Sequence, residues 1–366
     1  MKKFLVSLTV VFFVFAIATA AIAQEKNAPA MPAEKKAELK KAKPAKPAAI
    51  TTPSDVKGKL MVYTSMKKPL MDKLKDAFTK KYPNISLNYY SAGAGKLKAR
   101  VNVEREAGNI GADVLWTSEV TGFFNLKQKG LLQKYASPEA SALNTTIDGS
   151  DAYFTPARLA TLGIAYNTKE VKIPPKSWND LLDSRFSGSF GIANPAFSGT
   201  AMISVAMLAN TFGWDYFEKL KGNNAKIGKG STEVVKDTAS GKLQVSIGVD
   251  QIVVDEIRKG APIGFVYPKE VLVIPSPVAI FKGAANLDAA KLFVDFVLSK
   301  EGQSIIVSSG TLPVRNDVPI PVELAALGLP APKDATKRAM KINFAKTLAE
   351  KKLIIEKFNS IMHLRF

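Results

Sequence analysis

Residues 60–90 read LMVYTSMKKPLMDKLKDAFTKKYPNISLNYY. Residues 60–64 form a short apolar run rich in strand-forming side chains. A stretch follows with Leu70, Leu74, Ala77 and Phe78 at helical spacing, and Pro69 near its first turn suits a helix start. Residues 85–90 alternate as a strand does. Gly93 and Gly95 then mark a turn, KLKARVNVEREAG reads as a second helix, and residues 112–116 (ADVLW) read as a third strand. Strand–helix–strand–helix–strand is the order of a sheet covered by helices on both faces, so the fold class is α/β.

A second set of the same kind follows. Strand patterns fall at residues 159–167, 188–194 and 243–249. Helical ones begin at Gly199 and span residues 215–221 and 232–240. Residues 271–281 (VLVIPSPVAIF) read as a return strand, whose Pro275 and Pro277 argue for an edge or crossing segment. Two amphipathic helices near residues 288–299 and 343–362 close the chain. The last has Leu348, Leu353, Ile354 and Phe358 on one stripe, and both are expected to pack on the first set. No internal repeat of fixed short period is visible.

Composition narrows the chemistry. The 366 residues exceed one typical core and suit two α/β lobes. There is no cysteine, which removes disulfides, thiolate metal sites and cysteine nucleophiles. The single histidine, His363, is the fourth residue from the end, so neither a Ser-His-Asp triad nor a His-rich metal centre is expected. GAGKL at residues 93–97 lacks the glycine spacing and the Ser/Thr of a nucleotide-binding loop. An exported hydrolase or transferase would need a base beside a serine, and only lysines or carboxylates are on offer. The chain is therefore read as no enzyme, with no cofactor and no resident metal.

Residues 1–23 read as an export signal: Lys2 and Lys3, an apolar run, then Ala21-Ile22-Ala23 as a small-residue cleavage site. Cleavage after Ala23 is expected, an uncleaved anchor being the alternative. Residues 24–56, rich in Lys, Ala and Pro, read as a disordered linker. The formal net charge of +19 is partly local, since residues 1–50 carry nine lysines and three glutamates. An exported basic protein suits anionic ligands, anionic lipid or cell-wall polymer.

Several stretches, in their order, resemble the extracellular solute-binding proteins of ABC importers, family 1, in the branch of ferric-iron, phosphonate, hexose-phosphate and thiamine binders. They are residues 59–95, residues 109–135 (NIGADVLWTSEVTGFFNLKQKGLLQKY), GIAYNT at 163–168, SWNDLLDSRFSGSFGIANPAFSGT at 177–200, and VIPSPVAIFKGAANLDAAKLFVDFVLSKEGQSI at 273–305. The resemblance implies a two-lobed, type II periplasmic-binding-protein fold with two crossing strands as hinge. Lobe 1 would be residues 57–157 plus 275–366, and lobe 2 residues 158–274. It implies a monomer in the periplasm that captures a small solute between the lobes for an inner-membrane permease and its ATPase, with no nucleic-acid partner.

In that branch ferric iron is commonly held by adjacent tyrosines after a glycine-rich strand, with His and Glu in the other lobe. Here SIGVDQIVVDEI, from Ser246, puts Ile252, Val253 and Val254 where the tyrosines would stand, and Ser118 takes the place of the glutamate. A hard trivalent cation wants anionic oxygens, which these residues lack. Iron bound through a chelator such as citrate stays as an alternative. An envelope-adhesive role for the basic linker is another, separable by deleting residues 24–54.

The strand ends and helix starts offer hydroxyls and free amides instead: Thr64 and Ser65; Ser91, Gly93 and Gly95; Thr117 and Ser118; and Ser198, Gly199 and Thr200 at a helix mouth. Strand C-terminal ends form the crevice in α/β sheets, and helix N-termini favour anions. Asp250 and Gln251, after a strand, could meet an ammonium or hydroxyl or merely cap a helix. The expectation is a small anionic ligand, bearing phosphate, phosphonate or carboxylate, held without a formal cation. Ser198 and its neighbours would be both helix cap and anion clasp.

Overall fold

The computed structural model describes residues 55–364; the expected export signal, and the linker up to residue 54, lie outside the described residues. Val56 is already buried in the core beside Leu60. The first elements follow the alternation read from the sequence: β1 (Gly58–Thr64), α1 (Lys68–Lys81), β2 (Ile85–Ser91), α2 (Ala94–Glu106) and β3 (Val114–Trp116). Helix α1 buries Leu70, Met71, Leu74 and Phe78, and its last-turn Lys80 and Lys81 complement the negative end of the helix dipole.

Next come α3 (Val120–Gln128), β4 (Leu132–Gln133) and the long β5 (Thr155–Asn167). The second set comprises β6 (Phe190–Ala193), α4 (Gly199–Phe212), α5 (Asp215–Gly222), β7 (Lys226–Gly228), α6 (Ser231–Ala239), β8 (Val245–Val249), α7 (Asp250–Arg258) and β9 (Ile263–Val266). The chain ends with β10 (Leu272–Phe281), α8 (Leu287–Leu298), α9 (Lys300–Ser308), α10 (Val322–Ala326), α11 (Pro332–Lys337) and α12 (Phe344–Ile361).

The strands form one sheet in the order β2-β1-β3-β10-β5-β8-β6-β7. Its two halves are each parallel inside, β1 with β2 and β3, and β6 with β7 and β8. They meet at the antiparallel pair β5 and β10. The far end of β10 pairs with β3, and the far end of β5 pairs with β8 and β9. The two strands thus cross from one half to the other. β10 carries its prolines at a register shift between Pro275 and Pro277, where a bulge removes the need for a ladder amide.

Each half has its own core. Leu60, Phe78, Trp116, Phe293 and Phe296 gather on one side; Trp178, Phe190, Met202, Phe217 and Val253 on the other. Helix α8 packs on the first half, as expected, and α9, which the sequence reading had not separated, joins the same core through Ile306. Helix α12 does not stay there. Its Leu348 lies against the cluster of Phe123 and Phe154 in the first half, but Ile354, Phe358 and Met362 enter the core of the second. Phe358 meets Phe217 edge to face at 5.6 Å. Leu353, placed on the buried stripe by the sequence pattern, is 62% exposed. It is one residue from Ile354 and so points about 100° away from it.

Candidate functional site

The C-terminal ends of β1 and β3 face the N-termini of α4, α6 and α7 across the crossing strands, enclosing a cavity of about 130 Å³. Ser198 is the N-cap of α4, its Oγ accepting from the Ala201 amide at 3.3 Å. The same hydroxyl lies 3.0 Å from Thr200 Oγ1 and 3.0 Å from Ser231 Oγ, and the last two are also 3.0 Å apart. Ser231 opens α6. Three hydroxyls therefore close a triangle at the mouths of two helices, satisfying one another with protons that can turn toward an oxyanion. Gly199, Thr232 and Gly230 line the cavity beside them.

The floor is cationic, contrary to the expectation of a site without a formal cation. Arg158 on β5 is only 4% exposed. Its Nε donates to Ser276 Oγ (3.2 Å), its Nη1 to Gln251 Oε1 (2.8 Å) and its Nη2 to Ser118 Oγ (3.5 Å), all neutral acceptors. Ser118 and Ser276 share a 2.7 Å hydrogen bond, so β3, β5, β10 and α7 are tied together here. Gln251 Nε2 is buried with no partner among the described residues. Lys67 enters from the end of β1. Burial, and then the field of Arg158, lowers its pKa, with Asp255 opposing. None of the side chains lining this cavity is a carboxylate.

Of the residues singled out from sequence, Ser65, Gly93, Ser118, Ser198, Gly199, Thr200 and Gln251 line this cavity. Five do not. Thr64 is fully buried, donating to the Trp116 carbonyl at 2.9 Å and accepting from the Met66 amide at 3.0 Å. Ser91 Oγ donates to the Met66 carbonyl at 2.7 Å. Both fix the turn that carries Ser65 and Lys67. Gly95 makes a backbone approach to the other half, since a Cβ there would sit 3.4 Å from the Ala196 carbonyl oxygen. Thr117 faces a second cavity of about 290 Å³, behind the segment 117–119, that is also lined by Glu119 and Lys351.

Asp250 is 0% exposed. Its carboxylate accepts from the Thr161 amide and hydroxyl (2.9 Å each), the Thr311 hydroxyl (2.9 Å) and the Gln251 amide (2.6 Å). Burial raises its pKa and the nearby charge of Arg158 opposes the rise. It is a tie between β5, α7 and the 311 loop, not a group that reaches a ligand. Tyr63 and Trp116, aromatic residues near the ends of β1 and β3, are core: Tyr63 OH donates to Glu104 at 2.7 Å and Trp116 Nε1 to the Ser276 carbonyl at 3.1 Å. Of the positions where iron-binding tyrosines would stand, Ile252 lines the cavity and Val253 and Val254 are core.

Sequence reasoning missed Lys67, Arg158 and Ser231. Two left a trace. Arg158 is a charge at the head of a strand whose neighbours are almost all buried, and such a charge needs a reason. GKGST at 228–232 repeats the small-residue mouth of FSGT at 197–200. Lys67, one of many lysines, carried no distinguishing signal.

Residues 111–347 match the family model described as bacterial extracellular solute-binding protein. An uncharacterized protein of Haemophilus influenzae is 30% identical over 276 residues, covering 72% of this chain and 79% of that protein. A Salmonella typhimurium protein, provisionally named 2-aminoethylphosphonate-binding periplasmic protein, is 29% identical over 255 residues, 66% of this chain and 73% of its own. Among solved structures, the periplasmic binding protein AfuA of Actinobacillus pleuropneumoniae, with fructose-6-phosphate bound, aligns with a TM-score of 0.74 at 28% identity, over 84% of this chain and all of that one.

Proposed function

This chain belongs to the bacterial extracellular solute-binding proteins, and from that premise we propose that it is the capture component of an ABC importer, closing on a small oxyanion and passing it unchanged to a permease and its ATPase. The fold is that of the type II periplasmic binding proteins, with β5 and β10 as the crossing strands. In this reading residues 57–157 and 275–366 form lobe 1, residues 158–274 form lobe 2, and α12 reaches over both. The protein works as a monomer in the periplasm, released there by cleavage after Ala23. The naming of its relatives as periplasmic supports that location.

The observation that carries the proposal is the pair of cations on the cavity wall, buried Arg158 and half-buried Lys67, with no carboxylate among the side chains that line it. A desolvated cation is costly unless an anion joins it. The hydroxyls of Ser198, Thr200 and Ser231, with the N-termini of α4 and α6, supply further donors for the same charge. Ser65, Lys67 and Ser118 belong to lobe 1, and Ser198, Thr200, Ser231 and Gln251 to lobe 2. A ligand touching both sets stabilises the closed arrangement, which is what a permease can distinguish. The relatives named for 2-aminoethylphosphonate and seen with fructose-6-phosphate support the oxyanion class.

Native mass spectrometry of protein purified from its own envelope weighs the retained solute, and isothermal titration with inorganic phosphate, fructose 6-phosphate and ferric citrate follows. Retention of a phosphate-, phosphonate- or carboxylate-bearing mass supports the proposal. A metal mass with ferric citrate binding alone replaces it with iron uptake, and turnover of a bound phosphate ester rejects a pure carrier.

A further inference from the structure

Resting on the oxyanion reading, we infer that this cleft discriminates against solutes whose organic part is positively charged, and takes a small phosphate or phosphonate with a compact, neutral remainder. The ground is a one-sided set of side chains. Lys67 and Arg158 present only N–H groups, and the unpartnered Nε2 of Gln251 is again a donor. The remaining wall includes Ala94, Val249 and Ile252. The cavity thus asks for acceptors and has nothing anionic to give an ammonium.

The carboxylates nearby are turned elsewhere. Asp250 is enclosed and bonded to Thr161, Thr311 and the Gln251 amide. Glu119 pairs with Lys351 at 3.1 Å on the side of the second cavity. Glu233 accepts from the Lys229 amide at 2.7 Å. Asp255 lies outside the lining, its field falling on Lys67. An ammonium brought into the closed cleft would lose its water, find no counter-charge and stand beside two like charges.

The test compares two phosphonates of one shape, propylphosphonate and 2-aminoethylphosphonate, which differ by a terminal methyl against an ammonium. Inorganic phosphate serves as the reference, by isothermal titration at neutral pH. Propylphosphonate is expected to bind about tenfold tighter or more. Ile252→Glu, which gives the cavity a carboxylate, is expected to narrow that ratio. Phosphate binding with equal or tighter affinity for 2-aminoethylphosphonate overturns this inference and leaves the oxyanion reading standing, as does a ratio unmoved in a folded Ile252→Glu variant. Failure of all three probes to bind overturns both.

Discussion

A Cβ added to Gly199 would lie 2.7 Å from the Cβ of Glu119 and 3.1 Å from its backbone nitrogen. Gly199 opens α4 in the second half of the sheet and Glu119 follows β3 in the first, so this contact sets how closely the halves meet. Gly199→Ala cannot be absorbed by a flexible side-chain tip and is expected to prop the cleft open. Affinity for inorganic phosphate should fall about tenfold or more, while stability holds, since alanine suits a helix better than glycine by up to about 1 kcal/mol. Titration and small-angle scattering together check this; a compact variant of unchanged affinity would show that the halves do not need this contact.

Thr200 Oγ1 stands in the triangle with Ser198 and Ser231. Thr200→Val keeps the shape and removes one donor. A hydrogen bond to a charged group is worth about 1.5–3 kcal/mol, so oxyanion affinity should fall roughly 10- to 100-fold. The unliganded protein should change by about 1 kcal/mol or less, because the two serines still bond each other. Titration and urea denaturation of the same variant separate the two effects.

Lys67 gives the binding a pH signature. Its pKa is lowered in the unliganded protein by burial and by Arg158. An oxyanion beside it favours the ammonium, so the bound state holds the proton more tightly than the free one. Affinity is then full below the free-state pKa and declines as pH rises through it, until the bound-state pKa is passed. Titrations from neutrality to about pH 10 should show the decline. Lys67→Met should abolish it, weaken binding at neutral pH about tenfold, and leave the unliganded protein no less stable, since a partly desolvated charge has gone.

Phe358 anchors the last helix in the second core, fully buried and edge to face with Phe217. Phe358→Ala should cost about 3–5 kcal/mol in urea denaturation. Leu353→Ala, on the exposed side of the same helix, should change stability by no more than about 0.5 kcal/mol. Equal effects would mean that the helix is not docked as described.

The alternation of strands and helices was readable because burial imposes a period. Leu70, Leu74 and Phe78 must share a face for α1 to cover the sheet, and that spacing is written in the chain. The same logic placed Leu353 wrongly: an apolar stripe can hold two adjacent residues, as Leu70 and Met71 do in α1, and periodicity alone did not say that only Ile354 of this pair faces inward. Small polar residues at helix mouths were equally legible: Ser198 is a cap wherever α4 ends up. Thr64, Ser91 and Thr117 carry the same chemistry but spend it on carbonyls, amides or another cavity. No local pattern separates a hydroxyl that holds a turn from one that faces a ligand.

By itself, then, the sequence determined the two sets of α/β elements and the helix caps, because each follows from hydrophobic period and backbone chemistry within a few neighbours; the pair of crossing strands was implied by the family resemblance. Tertiary structure alone decided that Lys67, Arg158, Gln251 and Ser231, spread over 185 positions of the chain, converge on one cavity. It decided also that Asp250 is sealed away from that cavity. The electrostatics of a cleft depend on which charges are brought together and drained of water, and that is a property of packing across the sheet rather than of any segment within it.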